Sequence, residues 1–578
     1  MLCQVSCSAV KLKAIENSQF QNDVTKPIQA IRAVKGTRDL LPSETSVWQR
    51  VEEEARHVLA AYNFREIRTP VLEPTELFAR SVGSDTDIVT KEMYTFEDHE
   101  RPDLARRRDL IVTLQWDPQG SEYLAKLVDT FVTDFRGAMV RGEVPKIPEN
   151  AQHLNTLEGL LNTLSGPVMR AGLPAGAAPQ ADAGRSAVKW KQATDALRAL
   201  QLGDSLTLRP EATASVVRAY IGHSMFNDGL IHKLYYIASM FRRERPQRGR
   251  YRQFYQIGAE VLGSESPAVD VEVLEMLVEY LDRLGIRDFR LLLNSVGDSK
   301  CRPEYVKVLR RALEDVKAQM CADCRRRADT NPLRVFDCKV EADQPIIAKL
   351  PAILDHLCLE CRQHFSSVTQ GLDQRELRYE ITPRLVRGLD YYTRTTFEIT
   401  SGALGAQNSV LGGGRYDGLS ELLGGPPTPG FGFAIGEDRL VLAAQQALLS
   451  QGVGGQVAPP DGQAVEVYII WMGHDALKPA AELARSLRRE GRRVELPYDL
   501  TRLKKAMGIA NKLNARFAVI IGEAELATGR YQVKDMGTGQ QEEVEPDRIT
   551  LYLRDRLAAP EEGKASAAGQ SDLLGQNT

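Results

Sequence analysis

The stretch FRRERPQRGRYRQFYQIGAE, residues 241–260, carries the strongest signal for the fold of this chain. Pro246 and Gly249 lie in its middle and predict a turn, so the stretch is typical of a strand, a loop and a second strand. It is strongly basic, with six arginines within eleven residues: Arg242, Arg243, Arg245, Arg248, Arg250 and Arg252. A charge run of this kind is usually the solvated face of a hairpin, and this structural interpretation stays open at this point.

The order of side chains along the second strand favours a functional interpretation. Every second residue of a strand shares a face. One face therefore carries Arg250, Arg252, Phe254, Gln256, Gly258 and Glu260. Guanidinium groups suit phosphate oxygens, an aromatic ring suits a purine base, and an amide with a carboxylate suits a polar, cationic small molecule. The strand is thus predicted to hold a nucleotide and a second substrate side by side.

The composition is that of a globular protein with several domains. A chain of 578 residues is too long for one core, and 43% hydrophobic with 26% charged residues is the usual globular balance. The sequence contains no run of about 18 apolar residues, the length that a membrane-spanning helix needs. Lysines follow the short apolar run at the N-terminus, the reverse of a secretory signal, so we expect a cytoplasmic protein. With a net charge of −3, any RNA binding must rely on local basic patches.

Changes of pattern predict the domain organisation. A helix is expected over 47–62 and strands over 64–72, 233–262 (as a pair), 377–381 and 395–399. Residues 92–97 and 205–209 are typical of two halves of one hairpin, into whose tip a helical lobe is inserted. The predicted divisions are an N-terminal extension (1–30), a core in three parts (31–98, 204–299, 377–449), the inserted helical lobe (99–203), a helix-rich insertion (300–376), a linker (450–463), an α/β domain (464–558) and a disordered tail (559–578).

Several motifs together resemble one enzyme family. Residues 241–254 and 430–440 (GFGFAIGEDRL) resemble motifs 2 and 3 of the class II aminoacyl-tRNA synthetases, and the segment ending at Pro70 resembles motif 1, their dimer-forming element. Residues 385–398 (LVRGLDYYTRTTFE) and 411–419 (LGGGRYDGL) are similar to the two signature peptides of histidyl-tRNA synthetases, and residues 35–42 and 207–213 fit the same family. The resemblance covers about 31–98, 204–447 and 465–557.

This resemblance implies an α+β catalytic core, in which helices flank an antiparallel sheet, with helical insertions and a C-terminal α/β domain that binds the anticodon. It also implies a homodimer. Arg242 matches the residue that grips the α-phosphate and the amino-acid carboxylate, Arg250 a γ-phosphate contact, and Phe254 the ring that stacks on adenine. Arg439 matches a second phosphate clamp. Arg387 matches a histidine-specific arginine at the reacting carboxylate, in a place where other enzymes use a metal ion. Asp438 departs from the family's usual glutamate.

The resemblance also implies a pocket for L-histidine. Glu211, Ala212 and Thr213, together with Gln256, match the site of the α-ammonium group. Glu260, with Tyr391 and Tyr392, matches the imidazole site, although tyrosines more often pack in a core and either ring has that alternative. A carboxylate and a phenol that read both ring nitrogens would be left unpaired by a wrong substrate. The triple glycine 412–414, before Arg415 and Tyr416, predicts a close approach of backbone to substrate.

The implied reaction uses ATP with Mg²⁺ and proceeds through histidyl-adenylate to histidyl-tRNA(His). The first step needs no general base, because the attacking carboxylate is already ionised; positioning and charge stabilisation would accelerate it. In the second step the 3′-terminal ribose of the tRNA attacks, and our hypothesis is that a phosphate oxygen of the adenylate takes its proton.

The cysteines leave two interpretations open. Cys321 and Cys324 form one CxxC pair, Cys358 and Cys361 form another, and Cys338 lies between them. The two pairs have the spacing of a tetrahedral zinc site. Reduced thiols on helices, three residues apart, would give the same pattern.

Two rival functions remain at this point. Synthetase-like paralogues regulate histidine biosynthesis or sense uncharged tRNA, but they are expected to lose the arginines or the C-terminal domain. A class II synthetase for proline, threonine or glycine is the second rival, and residues 385–398 argue against it.

Overall fold

The structure, a computed structural model, describes residues 30–83, 86, 88–98, 101–114, 121–164, 180–247, 249–404, 408–450, 465–500 and 502–558. Arg248, the predicted tail and, apart from residues 30 and 450, the predicted N-terminal extension and linker lie outside them. The chain forms two compact units. The first combines the described parts of Met1–Asp39, Tyr62–Met276 and Phe289–Arg439; the second combines those of Leu40–Ala61, Leu277–Asp288 and Leu440–Thr578.

The described residues contain sixteen strands: β1 (Arg65–Glu66), β2 (Leu72–Pro74), β3 (Tyr94–Asp98), β4 (Asp204–Leu208), β5 (His232–Phe241), β6 (Gln253–Leu262), β7 (Phe289–Ser295), β8 (Glu380–Ile381), β9 (Thr393–Ser401), β10 (Ser409–Arg415), β11 (Gly430–Gly436), β12 (Val467–Trp471), β13 (Val494–Glu495), β14 (Phe517–Ile521), β15 (Tyr531–Asp535) and β16 (Gln541–Val544).

Eighteen α-helices accompany them in the same residues: α1 (Pro42–Ala61), α2 (Thr75–Val82), α3 (Pro102–Thr113), α4 (Ser121–Arg141), α5 (Pro148–Leu164), α6 (Gln180–Ala199), α7 (Thr213–Gly222), α8 (Pro267–Arg283), α9 (Arg302–Glu314), α10 (Ala322–Thr330), α11 (Gln344–Ile347), α12 (Leu359–Gln374), α13 (Leu419–Leu422), α14 (Glu437–Ser450), α15 (His474–Arg489), α16 (Leu503–Lys512), α17 (Glu523–Thr528) and α18 (Pro546–Ala558).

The first unit is organised by an eight-stranded sheet in the order β1-β5-β6-β11-β10-β9-β7-β8. The six central strands pair antiparallel, and only the two-residue edge strands β1 and β8 pair parallel. The predicted strand pair over 233–262 is confirmed as β5 and β6, which are ten residues each. The predicted antiparallel core sheet is therefore confirmed, and β11 lies between β6 and β10 although about 170 residues of sequence separate it from β6.

The predicted strand over 64–72 is wrong in its extent. Its residues form only β1 and the start of β2, which belong to different sheets. Between them, the carbonyl oxygens of Thr69 and Pro70 accept hydrogen bonds of 2.8 and 3.3 Å from the guanidinium of the buried Arg209. Pro70 has no backbone N–H for a strand ladder. A side chain thus satisfies backbone groups that a continuous strand would have used. The strand predicted over 377–381 is likewise reduced to Glu380–Ile381.

The hairpin predicted around the insertion is confirmed, because β3 pairs antiparallel with β4 and Asp98 lies opposite Asp204. Helices α3 to α6 follow β3 and share a hydrophobic core of their own, which includes Phe131, Phe135 and Trp190. Farther along, α9 to α12 surround a second core that includes four buried cysteines: Cys301, Cys324, Cys338 and Cys361.

The second unit contains a five-stranded sheet in the order β13-β12-β14-β15-β16. β13, β12 and β14 are parallel, and β15 and β16 are antiparallel additions. All residues of β12 and β14 are buried, as expected for parallel strands covered on both faces. The predicted mixed α/β domain is confirmed; β16 (QEEV) was missed because its polar residues lack an apolar strand pattern. The described helices contain no span long and apolar enough to cross a membrane.

Candidate active site

The centre of β6 alternates as the sequence predicts and defines one face of the eight-stranded sheet. Phe254, Gln256, Gly258 and Glu260 are every second residue of this strand. Neighbouring strands continue the face, since Gly258 lies opposite Ala434 of β11, which lies opposite Gly412 of β10. We call this the site face. Strands lie about 4.8 Å apart, so β6 and β10 are separated by only ~10 Å on it.

Arg250 and Arg252, the two arginines predicted to begin this face, come before the first residue of β6. The alternation of side chains along the strand therefore does not put them on the site face. The backbone N–H of Arg252 donates to the carbonyl oxygen of Gly36 at 2.7 Å. Arg250 pairs with Glu244 at 3.1 Å within the loop, and 43% of its side chain is exposed. This part of the predicted parity is wrong, because residues 242–252 lie between β5 and β6 and form a loop, in which side chains do not alternate as they do in a strand.

Glu260 is the most enclosed polar group of the site face. It is fully buried and accepts hydrogen bonds from the Thr213 hydroxyl at 2.7 Å and the Tyr416 hydroxyl at 2.5 Å. Burial raises its pKa from 4.5 to about 8, although both hydroxyl groups act in the opposite direction. Glu260 is therefore largely protonated at neutral pH and can both donate and accept a hydrogen bond.

Glu211 lies next to this group and caps a helix. Its carboxylate accepts the backbone N–H groups of Thr213 at 2.7 Å and Ala214 at 3.0 Å, at the start of α7. Burial raises its pKa, and these two backbone hydrogen bonds oppose the rise. Thr213 donates to both Glu211 and Glu260. The residues predicted to bind the α-ammonium group are therefore in contact with the residue predicted to bind the imidazole ring. Ala212 is buried directly before α7.

Gln256 brings an unsatisfied acceptor to the same face. Its Oε1 atom is buried and has no hydrogen-bond partner among the described residues. A buried amide oxygen without a partner is costly unless a ligand supplies a donor. An ammonium group is such a donor.

Three tyrosines lie at the Glu260 end of the site face. The ring of Tyr391 lies 4.8 Å from that of Tyr392 and 5.7 Å from that of Tyr416, measured between centroids. All three rings are buried, and burial raises their pKa values, that of Tyr392 to about 12. Neutral phenols can donate a hydrogen bond to a ring nitrogen. Of the three, Tyr416 donates its hydroxyl hydrogen bond to Glu260.

Glycines keep the site face open. A Cβ atom on Gly432 would lie 1.8 Å from Oε2 of Glu260, and one on Gly258 would lie 2.3 Å from the hydroxyl oxygen of Tyr236. A Cβ atom on Gly412 would lie 2.5 Å from Cζ of Arg387. The glycines therefore leave the room in which larger polar side chains reach across the sheet, which explains the triple glycine more specifically than a turn does.

Arg387 reaches the site face from the loop before β9. Its guanidinium lies over Gly412 and 3.6 Å from Glu398, the neighbour of Gly412 on β9. Its Nε atom is buried without a hydrogen-bond partner among the described residues. The side chain is thus a cation on the same face as Glu260, with hydrogen-bonding capacity left for an anion.

Arg242 and Phe254 are adjacent, as the first residue after β5 and the second residue of β6. The guanidinium carbon of Arg242 lies 5.3 Å from the centre of the Phe254 ring, in the range of a cation–π contact. Its Nε donates to the carbonyl oxygen of Pro210 at 2.9 Å, which ties it to the chain segment that holds Glu211.

Arg439 lies in the first turn of α14 and donates to the carbonyl oxygen of Ser409 at 2.8 Å. Burial and then the charge of Arg250 lower its pKa, whereas Glu244 and Glu398 raise it. These interactions place both phosphate-binding candidates, Arg250 and Arg439, in one electrostatic neighbourhood. A helix start adds N–H groups that also favour anions.

Asp438, the departure from the family pattern, has a definite structural role. Its two oxygens contact Nη2 of Arg38 at 3.1 Å and the backbone N–H of Tyr255 at 3.3 Å. Arg38 in turn lies 4.8 Å over the ring of Tyr251. The shorter acid therefore joins the start of α14 to β6 and to the segment KGTRDLLP.

The cysteine prediction needs a correction. Cys321 and Cys324 form a cluster with Cys338 and Asp343, whereas Cys358 and Cys361 form a cluster with Asp298 and Cys301. The two CxxC pairs do not meet, because they begin two different helices, α10 and α12. A single site built from both pairs is therefore wrong.

Sequence reasoning missed several residues of the site face, mainly Tyr236, Glu398 and Gly432. Tyr236 and Gly432 could have been found by extending the alternation of β6 to its neighbours, since Tyr236 lies opposite Gly258 and Gly432 opposite Glu260. That step requires the strand register, which a single sequence does not contain. Tyr416 was noted only as the residue after a glycine run.

The arrangement suits the meeting of two anions beside a polar ring. Cations lie at one end of the site face, and buried carboxyl and phenol groups lie at the other. Guanidinium groups stay charged at all relevant pH values, so they can stabilise charge that develops between a carboxylate and a phosphate. The end with the buried carboxyl and phenol groups can recognise a small polar side chain through hydrogen bonds.

Comparisons with known proteins agree with this geometry. A family model described as histidyl-tRNA synthetase matches residues 181–440, and one described as anticodon binding domain matches residues 466–556. The chain is 47% identical to the histidine–tRNA ligase of Solibacter usitatus (strain Ellin6076), over 90% of this chain and 99% of that protein. It is 45% identical to the histidine–tRNA ligase of Koribacter versatilis (strain Ellin345), over 91% and 97% of the two chains.

A solved structure is similar as well. The apo histidyl-tRNA synthetase of S. aureus superposes with a TM-score of 0.61 at 30% identity, over 91% of this chain and all of the other. Matches of this identity and coverage go with one overall fold and one set of motifs in the same order. The chain belongs to the histidyl-tRNA synthetase family.

Proposed function

We propose that the site face binds L-histidine and ATP side by side and joins them to histidyl-adenylate, the first half of the histidine–tRNA ligase reaction. The family charges tRNA(His) with histidine through this adenylate and releases AMP and pyrophosphate. The observation that carries the proposal is the position of Arg387 over Gly412, on the same sheet face as Glu260 and about two strand spacings from it.

In the first step, a carboxylate oxygen of histidine attacks the α-phosphorus of ATP. The bond from that phosphorus to the bridging oxygen breaks, and pyrophosphate leaves with the electron pair. No proton moves, so the contribution of Arg242 and Arg387 is to hold the two anions together and to stabilise the extra charge on the α-phosphate.

ATP and Mg²⁺ are the nucleotide substrate and metal cofactor of class II synthetases in general. We assign Phe254 to the adenine, and Arg250 and Arg439 to the phosphates farther from the reacting atom. Glu244 and Glu398 lie close enough to Arg439 to raise its pKa. Their carboxylate oxygens are ligands of the kind that Mg²⁺ prefers. When bound, Mg²⁺ would neutralise charge on the β- and γ-phosphates.

The other end of the site face would select histidine. The Oε1 atom of Gln256, which has no partner among the described residues, would accept from the α-ammonium group, near Glu211 and Thr213. Glu260 would meet one nitrogen of the imidazole ring, while a phenol from Tyr391 or Tyr392 would meet the other. An amino acid without two ring nitrogens would leave these buried groups unpaired, which costs far more than a lost methylene contact.

In the second step, the ribose at the 3′ end of tRNA(His) attacks the carbonyl carbon of the adenylate, and AMP leaves. We retain the hypothesis that a phosphate oxygen of the adenylate takes the ribose proton. Both carboxylates closest to the histidine site already hold other hydrogen bonds, Glu211 to α7 and Glu260 to two hydroxyl groups. A carboxylate variant that kept adenylate formation but lost transfer would overturn this hypothesis.

The wider assignments are proposals too. We assign residues 464–558 to anticodon binding. For the catalytic core and its two insertions we propose the boundaries that the sequence predicts. We also propose a homodimer formed through the motif 1-like segment, directly after which Val71 and Leu72 expose apolar side chains. Sedimentation analysis of the full chain tests this, and a monomer at micromolar concentration would contradict it. A cytoplasmic location follows from the substrates ATP and tRNA.

The experiment for the proposed function is ATP–pyrophosphate exchange with each of the amino acids in turn. We expect exchange with histidine alone, followed by charging of tRNA(His). Exchange with proline, threonine or glycine would move the chain to another specificity. Binding of histidine or tRNA without any exchange would favour a regulatory protein over an enzyme.

A further inference from the structure

The helix-rich segment holds two separate groups of metal-ligating side chains. Cluster A consists of Asp298, Cys301, Cys358 and Cys361, and cluster B of Cys321, Cys324, Cys338 and Asp343. In each cluster, one donor atom from every residue lies within 4.8 Å of all the others. We propose that the chain binds two Zn²⁺ ions, each through three cysteine thiolates and one aspartate carboxylate.

The spacing in cluster A matches the edges of a zinc tetrahedron. A Zn–S distance of about 2.3 Å requires neighbouring sulfurs to lie ~3.8 Å apart. The sulfurs of Cys301 and Cys361 are 3.9 Å apart, and Oδ1 of Asp298 lies 3.4 Å from the sulfur of Cys301 and 4.0 Å from that of Cys358. A disulfide would need about 2.05 Å, and all six cysteines are free.

Cluster B repeats this spacing with different residues. The sulfurs of Cys321 and Cys338 are 4.0 Å apart, and Oδ2 of Asp343 lies 3.3 Å from Cys338. The same carboxylate accepts the backbone N–H of Cys321 at distances of 3.1 and 3.2 Å. This hydrogen bond orients the carboxylate, as outer contacts of zinc ligands commonly do.

Backbone N–H groups point at sulfurs in both clusters and orient them. Cys324 donates its N–H to the sulfur of Cys321, and Val340 donates to Cys338, both at 3.4 Å. In cluster A, Asp298 donates to Cys301 at 3.4 Å. Cys321 and Cys358 also stand at the starts of helices α10 and α12, where the helix dipole stabilises a negative sulfur.

Reduced, metal-free thiols are the competing explanation. Thiols alone would pack as small apolar groups in the core of α9 to α12, and they would need no carboxylate. Each cluster nevertheless has an aspartate in contact with its sulfurs, and Asp343 is buried. A zinc ion would stabilise this carboxylate further, because it adds a positive charge beside the oxygens that already accept from Cys321 and Cys338.

The two clusters brace the same loop of the active site. Arg302, next to Cys301, donates to the carbonyl oxygens of Val296 and Tyr392. Arg334, four residues before Cys338, donates to the carbonyl oxygen of Arg387 at 2.6 Å and to Asp390 at 2.6 Å. Each zinc ion would thus hold one arginine that fixes residues 387–392. The metal assignment itself does not depend on the proposed function.

The test is zinc content of the full-length protein, prepared without chelators and measured by mass spectrometry. We expect two zinc ions per chain in the unaltered protein, one in Cys361→Ser, one in Cys338→Ser and none in the double variant. Cys3→Ser with Cys7→Ser, the remaining two cysteines of the chain, is the matched control and should retain two. Fewer than two ions in the unaltered protein after zinc reconstitution overturns the two-site proposal.

A second measurement does not depend on whether a variant folds. Cobalt(II) exchanged into the unaltered protein should give intense sulfur-to-metal charge-transfer bands and tetrahedral ligand-field bands, at two equivalents per chain. Blocking the thiols with a mercurial should release both ions. Octahedral cobalt spectra, or release that the thiol reagent does not affect, would show that the metal is not bound by these cysteines and would overturn the proposal.

Discussion

The two ends of the site face solve opposite electrostatic problems. At the histidine end, Glu260 is fully buried and already holds hydrogen bonds to Thr213 and Tyr416. At the proposed phosphate end, the side chains of Arg242 and Arg387 remain about one fifth exposed, and their nearest carboxylate oxygens are 3.9 and 3.6 Å away, respectively, which is long for an ion pair. The hydrogen bonds of Glu260 are in place before the substrate arrives, whereas the arginine end is completed by the substrate's anions. Recognition and catalysis are therefore expected to respond differently to substitution.

The largest effect is expected from Arg387→Ala, which removes a cation from the reacting atoms. Loss of one preorganised charge stabiliser typically costs 10²–10³-fold in rate, so kcat for ATP–pyrophosphate exchange should fall by about that factor. The unfolding midpoint should change little, because the side chain is partly exposed and its acidic neighbour Glu398 lies 3.6 Å away. Arg290→Ala, at an exposed arginine of β7, is the matched control and should keep normal kcat. An unchanged kcat in Arg387→Ala would remove the cation end from the mechanism.

Glu260→Gln should act on the opposite end and through binding. We expect kcat/KM for histidine to fall on the order of 10²-fold, because an amide nitrogen, which cannot accept a hydrogen bond, replaces one carboxyl oxygen in the buried set that reads the ring. The KM for ATP should stay within a few-fold. A variant in which ATP binding fails and histidine binding survives would reverse the assignment of the two ends.

The same variant tests the pH dependence. The folded protein keeps the Glu260 proton up to about pH 8, whereas a carboxyl with the ordinary pKa of 4.5 has released it. This group therefore favours folding at low pH, and its contribution is lost as the pH rises from about 4.5 to 8. Relative to Glu260→Gln, the unaltered protein should lose stability between pH 5 and 8, measured by urea unfolding at both values. Parallel profiles would show that the pKa is not raised.

Two glycine substitutions sharpen the comparison further. In Gly432→Ala the new methyl group meets the carboxyl of Glu260, which is held by two hydrogen bonds, so the histidine KM should rise about tenfold and stability should fall by ~1–3 kcal/mol. In Gly412→Ala it meets the end of a flexible arginine that can move aside. Here kcat should fall about tenfold with a smaller loss of stability. Steady-state kinetics and thermal unfolding of both variants distinguish the two outcomes, and identical kinetic changes would contradict the division.

The smallest effect is expected for Tyr416→Phe. The hydroxyl group that lowers the pKa of Glu260 disappears, while the ring that packs against Tyr391 remains. One buried hydrogen bond is worth about 1 kcal/mol, which corresponds to a several-fold loss in kcat/KM for histidine. The alkaline limb of its pH profile should shift to higher pH. A shift to lower pH would mean that Tyr416 does not lower the pKa of Glu260.

The residues of the site face that lie on a single strand could be predicted from the sequence. The alternation of Phe254, Gln256 and Glu260 follows from backbone geometry and is seen in β6. The same reasoning failed for Arg250 and Arg252, because the period of two ends where the strand ends. It also failed for the cysteines, since equal spacing in two CxxC pairs says nothing about which helices come together.

By itself, the sequence determined the order of the motifs and the identity of the side chains on β6, since these depend on residue type and local periodicity, and the resemblance of those motifs to the class II aminoacyl-tRNA synthetases implied the fold class. The tertiary structure alone decided that Tyr416 meets Glu260, that Arg387 crosses Gly412, and that the cysteines divide into two clusters. The contact of Arg387 with Gly412 joins positions 25 residues apart, and that of Tyr416 with Glu260 joins positions 156 residues apart. Strand register and helix packing set them, and both are properties of the whole folded chain that no local pattern encodes.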